Sequence, residues 1–545
     1  MKEIGVEAFK YCESLNTVTI ESGAVVTSIG EKAFHGCSQM TSCTIKGAQT
    51  IGNQAFYMTS LLTAFDMSSA KTIGQDAFSY SKIKNIEFGK DLESISESSF
   101  EGCSDIQSFS VDSGNTKYSS YNDALYEMKD NQKQLISYPP ARSSEEYAVA
   151  DDAKIIVKNA FYDAKNLKKI IFGKSLETVM TEAFYNCYNL ETVVFGRSLK
   201  NIKQESFSGS KIKHYEVDEC NEFFTSKDGI LCTKSIGNEA IVKYPAEKEI
   251  SKKYEIPKGI RVIYDNAFSG VSGLEELVIG NDVYSIHSKA FQGCNSLKKV
   301  TITASITSVG SRAFAALGKL EEVYIGKNVQ MIGSYMFNEC ENLKKVTFEA
   351  GSQLKTIEQY AFKTTALESI VIPDSVVYIM QNAFAEIYSL KSVTIGKNVV
   401  SIGNQCFADC QNLETVTMNS EKLLTIDEEA FYNCQKLESI KIPTTVQIVS
   451  NGAFEACVGL KTITYEGSKS PSFCSEVAVD NVRTVKVNVS TAYEKLQFCG
   501  IDVTKAFEPP KPEDSSSSET KPNNNDNGVL KTLILAILVL VCLMI

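Results

Sequence analysis

Three histidines and sixteen cysteines are the residues of this 545-residue chain best suited to hold a metal or to attack a substrate. Their spacing argues against both uses. His35, His214 and His287 lie far apart, and only His35 has nearby partners of the right type, Cys37 and Cys43. A zinc site wants four converging nitrogen or sulfur ligands, and Cys37 already has another role described below. There is no G-x-S-x-G nucleophile elbow, no glycine-rich phosphate loop and no cluster of His, Asp and Glu. We therefore expect no catalytic residue, no metal and no cofactor.

Nine of the cysteines sit three residues after a phenylalanine: Cys12, Cys37, Cys103, Cys187, Cys294, Cys340, Cys410, Cys434 and Cys457. Elsewhere the same place holds Thr59, Ser81, Ala164, Val271 or Leu317. A place that accepts Cys, Ala, Thr or Val wants a small side chain that can be buried, a role free cysteine fills well. A row of buried thiols is expected rather than a disulfide framework.

The phenylalanines set the period. They stand at 9, 34, 56, 78 and 100, then 161, 184 and 207, then 268, 291, 314, 337, 362, 384, 407, 431 and 454. In all seventeen units the fifth residue before the Phe is Ile or Val, and in thirteen the residue just before it is Ala. Segments such as Leu413 to Met418 alternate apolar and polar, the pattern of a strand with one buried face. Gly or Pro follows many of them and turns the chain out of the sheet. A unit of this size cannot bury its apolar edge alone, so neighbours must stack into a solenoid around one continuous core.

The phrase L-x-x-V/I-x-I, then G/P-x-x-V-x-x-I-G-x-x-A-F-x-x-C, is well displayed by Ile426 to Pro443, IDEEAFYNCQKLESIKIP. It resembles the BspA-like leucine-rich repeat family of surface antigens from mucosal bacteria and parasitic protists. The resemblance covers residues 4 to 465. It implies a mostly β leucine-rich repeat horseshoe of about seventeen coils with a parallel concave sheet. It also implies surface attachment through protein or extracellular-matrix ligands, without catalysis.

Stacking puts equivalent residues of successive coils side by side. Six or seven residues past each Phe runs a column Glu275, Lys298, Glu321, Lys344, Glu368, Lys391 and Glu414, whose sign alternates at every coil. The next column repeats it as Glu276, Lys299, Glu322 and Lys345. Opposite charges in register favour one strand pairing over slipped ones, so a register ladder is the first expectation. A polar binding stripe is the alternative. The net charge of −11 without a basic run argues against nucleic acid as a partner.

Two gaps of 61 residues interrupt the period and duplicate each other, with Asn115 to Pro139 matching Asn221 to Pro245. Each has a turn signal, Asn122-Asp123 or Asp228-Gly229, and is expected to project as a β-hairpin insertion over about 110–150 or 216–256. The solenoid then spans 1–465 and a terminal cap 466–507, where Cys474 and Cys499 are close enough in sequence for pairing to be one option. Residues 508–528 are rich in Pro, Ser and Asn and read as a disordered stalk. Residues 529–545, VLKTLILAILVLVCLMI, read as a membrane segment, either a single span or a lipid-anchor signal. Met1 leads directly into Ile4 and Phe9, so no signal peptide is recognisable. Asn488-Val-Ser490 is a glycosylation sequon. The expected protein is a non-enzymatic, C-terminally anchored surface adhesin. An intracellular, tail-anchored interaction scaffold is the alternative.

Overall fold

The computed structural model describes residues 2–20, 25–203, 205–235, 239–303, 305–471, 473–474, 485–490, 493–495, 497–499 and 501–507. The expected stalk and membrane segment lie outside them. Among the described residues there is no α-helix, and none is long and apolar enough to cross a membrane.

Each coil has three sides. The first is a strand of three or four residues, such as Glu276–Ile279, Lys299–Ile302 and Glu322–Ile325, paired in parallel with the equivalent strand of the next coil. Its inward residues are apolar and buried: Leu277, Val300 and Val323 are at most 2% exposed. The second side is a two-residue strand ending in the repeat Ile or Val. Six of these, from Met331–Ile332 to Ile448–Val449, form one continuous parallel sheet with Phe473–Cys474 as its seventh strand.

The third side carries the Phe, and it is built from turns rather than strand. The residues two before and two after the Phe adopt left-handed backbone in nearly every coil, as at Arg312 (φ 61°) and Ala316 (φ 57°) around Phe314. Most are not glycine, so each conformation costs roughly 1–2 kcal/mol. The offset is a ladder of backbone hydrogen bonds between coils. Arg312, Phe314 and Ala316 donate their N–H groups to the carbonyls of Ser334, Met336 and Asn338 at 3.1, 3.0 and 2.8 Å. The intervening Ala315 N–H turns back to Arg312 C=O at 3.3 Å, so successive donors serve the coil and its neighbour alternately. The sharp bend comes from these left-handed residues. The Ala beside the Phe is small because its Cβ faces the core, as at Ala313 with no exposure.

The Phe rings form a column inside the coil. From Phe268 to Phe454 consecutive centroids lie 4.6–5.6 Å apart with planes within 17° of parallel. Each fully buried ring contributes on the order of 1.5–3 kcal/mol through removal from water.

The two insertions differ from projecting hairpins. Each is a three-stranded antiparallel meander: Tyr118–Tyr121, Ala124–Lys129 and Gln132–Ser137, then Phe224–Lys227, Ile230–Thr233 and Glu239–Lys243. The first turns fall on Asn122-Asp123 and Asp228-Gly229, all with positive φ. The third strand of each meander then joins the parallel sheet of two-residue strands, pairing Leu135 with Ile156 and Ile241 with Ile263. An apolar face fixes the meanders in the wall, since Leu125, Tyr126, Leu135 and Leu231 are at most 1% exposed.

Behind each meander stands a coil that the Phe count misses. Tyr138 stacks on Phe161 at 4.8 Å and Tyr244 on Phe268 at 5.2 Å. Both make the ladder bond of a repeat Phe, N–H to the carbonyls of Ala160 and Ala267 at 2.7 Å. The buried core nevertheless divides at the meanders into clusters spanning 4–125, 124–231 and 230–501.

Candidate functional site

The charge column sits one residue before the broad strands. Glu275, Lys298, Glu321 and Lys344 precede strands beginning at Glu276, Lys299, Glu322 and Lys345. Stacking brings some of them together. Glu275 lies 2.8 Å from Lys298 and 2.9 Å from Lys252, and hydrogen bonds from those two ammonium groups hold its carboxyl down to about 2. Glu368 lies 3.0 Å from Lys391. The same place closes pairs at Lys168–Glu145, Lys213–Glu191 and Lys461–Glu438, each at 2.7 Å.

The column is not one unbroken ladder. Among the described residues no ion pair within 4.0 Å links Lys344 to Glu321 or Glu368, or Glu414 to Lys391. In the next column, whose strands pair in strict register, Glu322 stands 3.8 Å from Lys299 and 4.0 Å from Lys345. Alongside runs an outward row of mostly short side chains, including Thr301, Thr347, Val371, Thr394 and Thr417. Asn488 continues that row, opposite Thr464, half-buried within Lys486–Ser490, and Ser490 of its sequon is buried.

The thiol row has a definite geometry. Cys103 and Cys187 donate to the carbonyls of Phe78 and Phe161 at 3.0 Å, and Cys294, Cys340 and Cys410 to those of Phe268, Phe314 and Phe384 at 3.2 Å. The acceptor is always the Phe of the preceding coil. Ser210 makes the same bond to Phe184 at 3.2 Å, which explains why a hydroxyl is tolerated there. Burial pushes the thiols of Cys187, Cys294, Cys340 and Cys410 up to about 12. Cys12 and Cys220 are the exposed free thiols among the described residues. Cys499 is disulfide-bonded, and the side chain of Cys474 lies outside the described residues.

His35 stacks on Tyr57 at 4.8 Å and meets Tyr11 edge-on at 5.2 Å, while Cys37 donates to Phe9 C=O at 3.0 Å. Among the described residues no group of His, Cys, Asp and Glu is arranged to hold a metal. Two titratable groups escape the repeat pattern. The Lys243 ammonium donates to Asn266 C=O at 2.7 Å, and burial pushes it down to about 8. Burial raises the Asp427 carboxyl to about 6. Asp427 occupies the place after the repeat Ile that is Gly30, Gly52 or Gly310 in other coils. At Gly52 an added Cβ would lie 2.6 Å from the Glu31 nitrogen, so a side chain there must press against the neighbouring coil.

No individually curated protein matches the chain. Among solved structures, a leucine-rich cell-surface protein of Faecalibacterium prausnitzii aligns at 20% identity over 66% of this chain and 92% of its own, with a TM-score of 0.36. A leucine-rich repeat protein of Bacteroides ovatus aligns at 19% over 72% and 98%, with a TM-score of 0.34. The pneumococcal vaccine antigen PcpA aligns at 18% over 88% and 87%, with a TM-score of 0.30. The model of the BspA type leucine-rich repeat region matches residues 2–125, 143–227, 246–365 and 355–472, most of the chain. With the coil and its Phe, Ile and Cys places repeating through those same residues, the chain belongs to the BspA-type leucine-rich repeat family.

Proposed function

We propose that this protein is a surface adhesin whose stacked coils present a long β face to protein or matrix ligands, without catalysis. Membership in the BspA-type repeat family carries the reading, because that family consists of interaction scaffolds and includes cell-surface proteins. The chemistry of the broad sheet supports it. Its outward rows are mostly short side chains flanked by charges of alternating sign, some of them paired, a nearly neutral surface suited to contact over an area rather than to steering one charged ligand. Anchoring through 529–545 is part of the proposal and follows from sequence composition.

Antibody staining of the repeat region on intact and on permeabilised cells tests display. Signal on intact cells is the expected result. Signal only after permeabilisation would replace the adhesin by a scaffold facing the cytosol.

A further inference from the structure

The broad strands form several separate sheets, and one of the breaks opens between two consecutive coils. Lys345–Phe348 pairs on one edge with Glu322–Ile325, and Ser369–Val371 pairs on one edge with Ser392–Thr394. The two strands do not pair with each other, and the last backbone bond before the split is Ala366 N–H to Leu343 C=O at 3.1 Å. On the other two sides the coils stay closed. Thr356–Ile357 pairs with Tyr378–Ile379, and Phe337 stacks on Phe362 at 5.4 Å. The step from Phe337 to Phe362 is 25 residues, with the surplus in 349–353, and the step from Phe362 to Phe384 is only 22.

The opening is a cleft of about 610 Å3 lined by residues 344–352 on one side and by residues from 369 to 375 on the other. That volume falls in the roughly 300–1,000 Å3 range of ligand sites. One further observation marks it as unfilled. Val346 and Phe348 are half-buried, whereas their register partners Val323 and Ile325 are at most 2% exposed. Ser375 lines the cleft, and its buried hydroxyl has no hydrogen-bond partner, as is also true of Thr445 at the same turn place of another coil.

We infer that this cleft binds an extended peptide segment of a partner protein, which pairs its backbone with the free strand edges. Two facing edges of unpaired N–H and C=O groups are complementary to peptide backbone, and strand addition to such an edge is an established mode of recognition. Val346, Phe348 and Ile370 supply an apolar floor. Charge sets the ends. Lys344 and Lys345 stand where the strand begins, while Glu349 and Asp374 stand beyond its close, each accepting one backbone N–H, from Lys327 and Lys397. The fitting peptide has an apolar centre, with an acidic residue towards the lysines and a basic one about four residues away, the length of the strand. This inference does not depend on where the chain is displayed.

The test is selection of random seven-residue peptides, displayed on phage, against the immobilised full chain, followed by hydrogen exchange with the enriched peptide bound. Enriched peptides should show the charge pattern and protect amides of 345–348 and 369–371. The double variant K344E/K345E should weaken them by at least about tenfold, and S375W, which fills the cleft, should remove binding. Circular dichroism establishes that each variant is folded. If S375W does not fold, K344E/K345E carries the test alone. No enrichment, protection elsewhere, or undiminished affinity in a folded K344E/K345E variant overturns the inference. Purified protein is used throughout, so a negative result leaves the staining experiment untouched.

Discussion

Cys187 donates its thiol hydrogen to the backbone carbonyl of Phe161, 3.0 Å away in the preceding coil, and so ties two coils through a side chain. The same carbonyl already accepts the Ala164 N–H at 3.2 Å. Cysteine is thus chosen for size and for a weak donor rather than for reactivity. Alkylation of the native chain should modify Cys12 and Cys220 rapidly, with the row of buried thiols reacting only on unfolding. Mass spectrometry after timed labelling reads this directly. Rapid labelling of Cys187 or Cys294 in the native state would contradict it.

The charge columns make a second prediction. Lys298 meets Glu275 at 2.8 Å and Lys299 meets Glu322 at 3.8 Å, so K298E/K299E places like charges side by side in successive coils. The melting temperature should fall at low salt, and the difference should shrink as salt screens exposed charge. An unchanged melting temperature at low salt would remove the columns from any account of register.

These two results separate what the residues announce from what they conceal. The repeat Phe, Ile and Cys are legible because each fills an equivalent buried place, and burial tolerates few types. The left-handed residues around the Phe are not legible. Arg312, Tyr335 and Glu429 show no preference for that backbone, and the inter-coil ladder imposes it. Tyr138 and Tyr244 were hidden because Tyr replaces Phe and Pro follows. The sign of each charge in the column is plain in sequence, but which pairs close depends on strand spacing. The surplus of residues at 349–353 looks like ordinary loop variation, yet the sheet opens there.

Asp427 predicts an unusual pH response. Burial raises its folded pKa to about 6 from the ordinary aspartate value of 3.8. The folded state therefore holds the proton more tightly than the unfolded one between those values. The carboxyl is tolerated best below about pH 4, and stability is lost as pH rises through about 6. Above that, ionisation of the buried group costs roughly 1–3 kcal/mol. Asp427→Asn should be the more stable protein at pH 7.5 and equal to the parent near pH 4. Urea unfolding at the two pH values checks this, and a variant that is less stable at pH 7.5 would refute it.

Tyr138 tests whether the column of rings or its polar groups hold the coil behind the first meander. The ring stacks on Phe161 at 4.8 Å and meets Tyr147 edge-on at 5.0 Å, while the buried hydroxyl has no partner within hydrogen-bonding geometry. Burial pushes the hydroxyl pKa up, and the Arg142 guanidinium close by opposes that push. Tyr138→Phe keeps the stack and deletes an unsatisfied polar atom, so its stability should match or exceed the parent's. Tyr138→Ala empties a ring-sized space in the 124–231 core cluster and should cost about 3–5 kcal/mol. Hydrogen exchange in the alanine variant should rise first around 124–161, because the ladder bond from Tyr138 N–H to Ala160 C=O loses its packing there. Equal losses in the two variants would place the stabilisation in the hydroxyl rather than in the stacked ring.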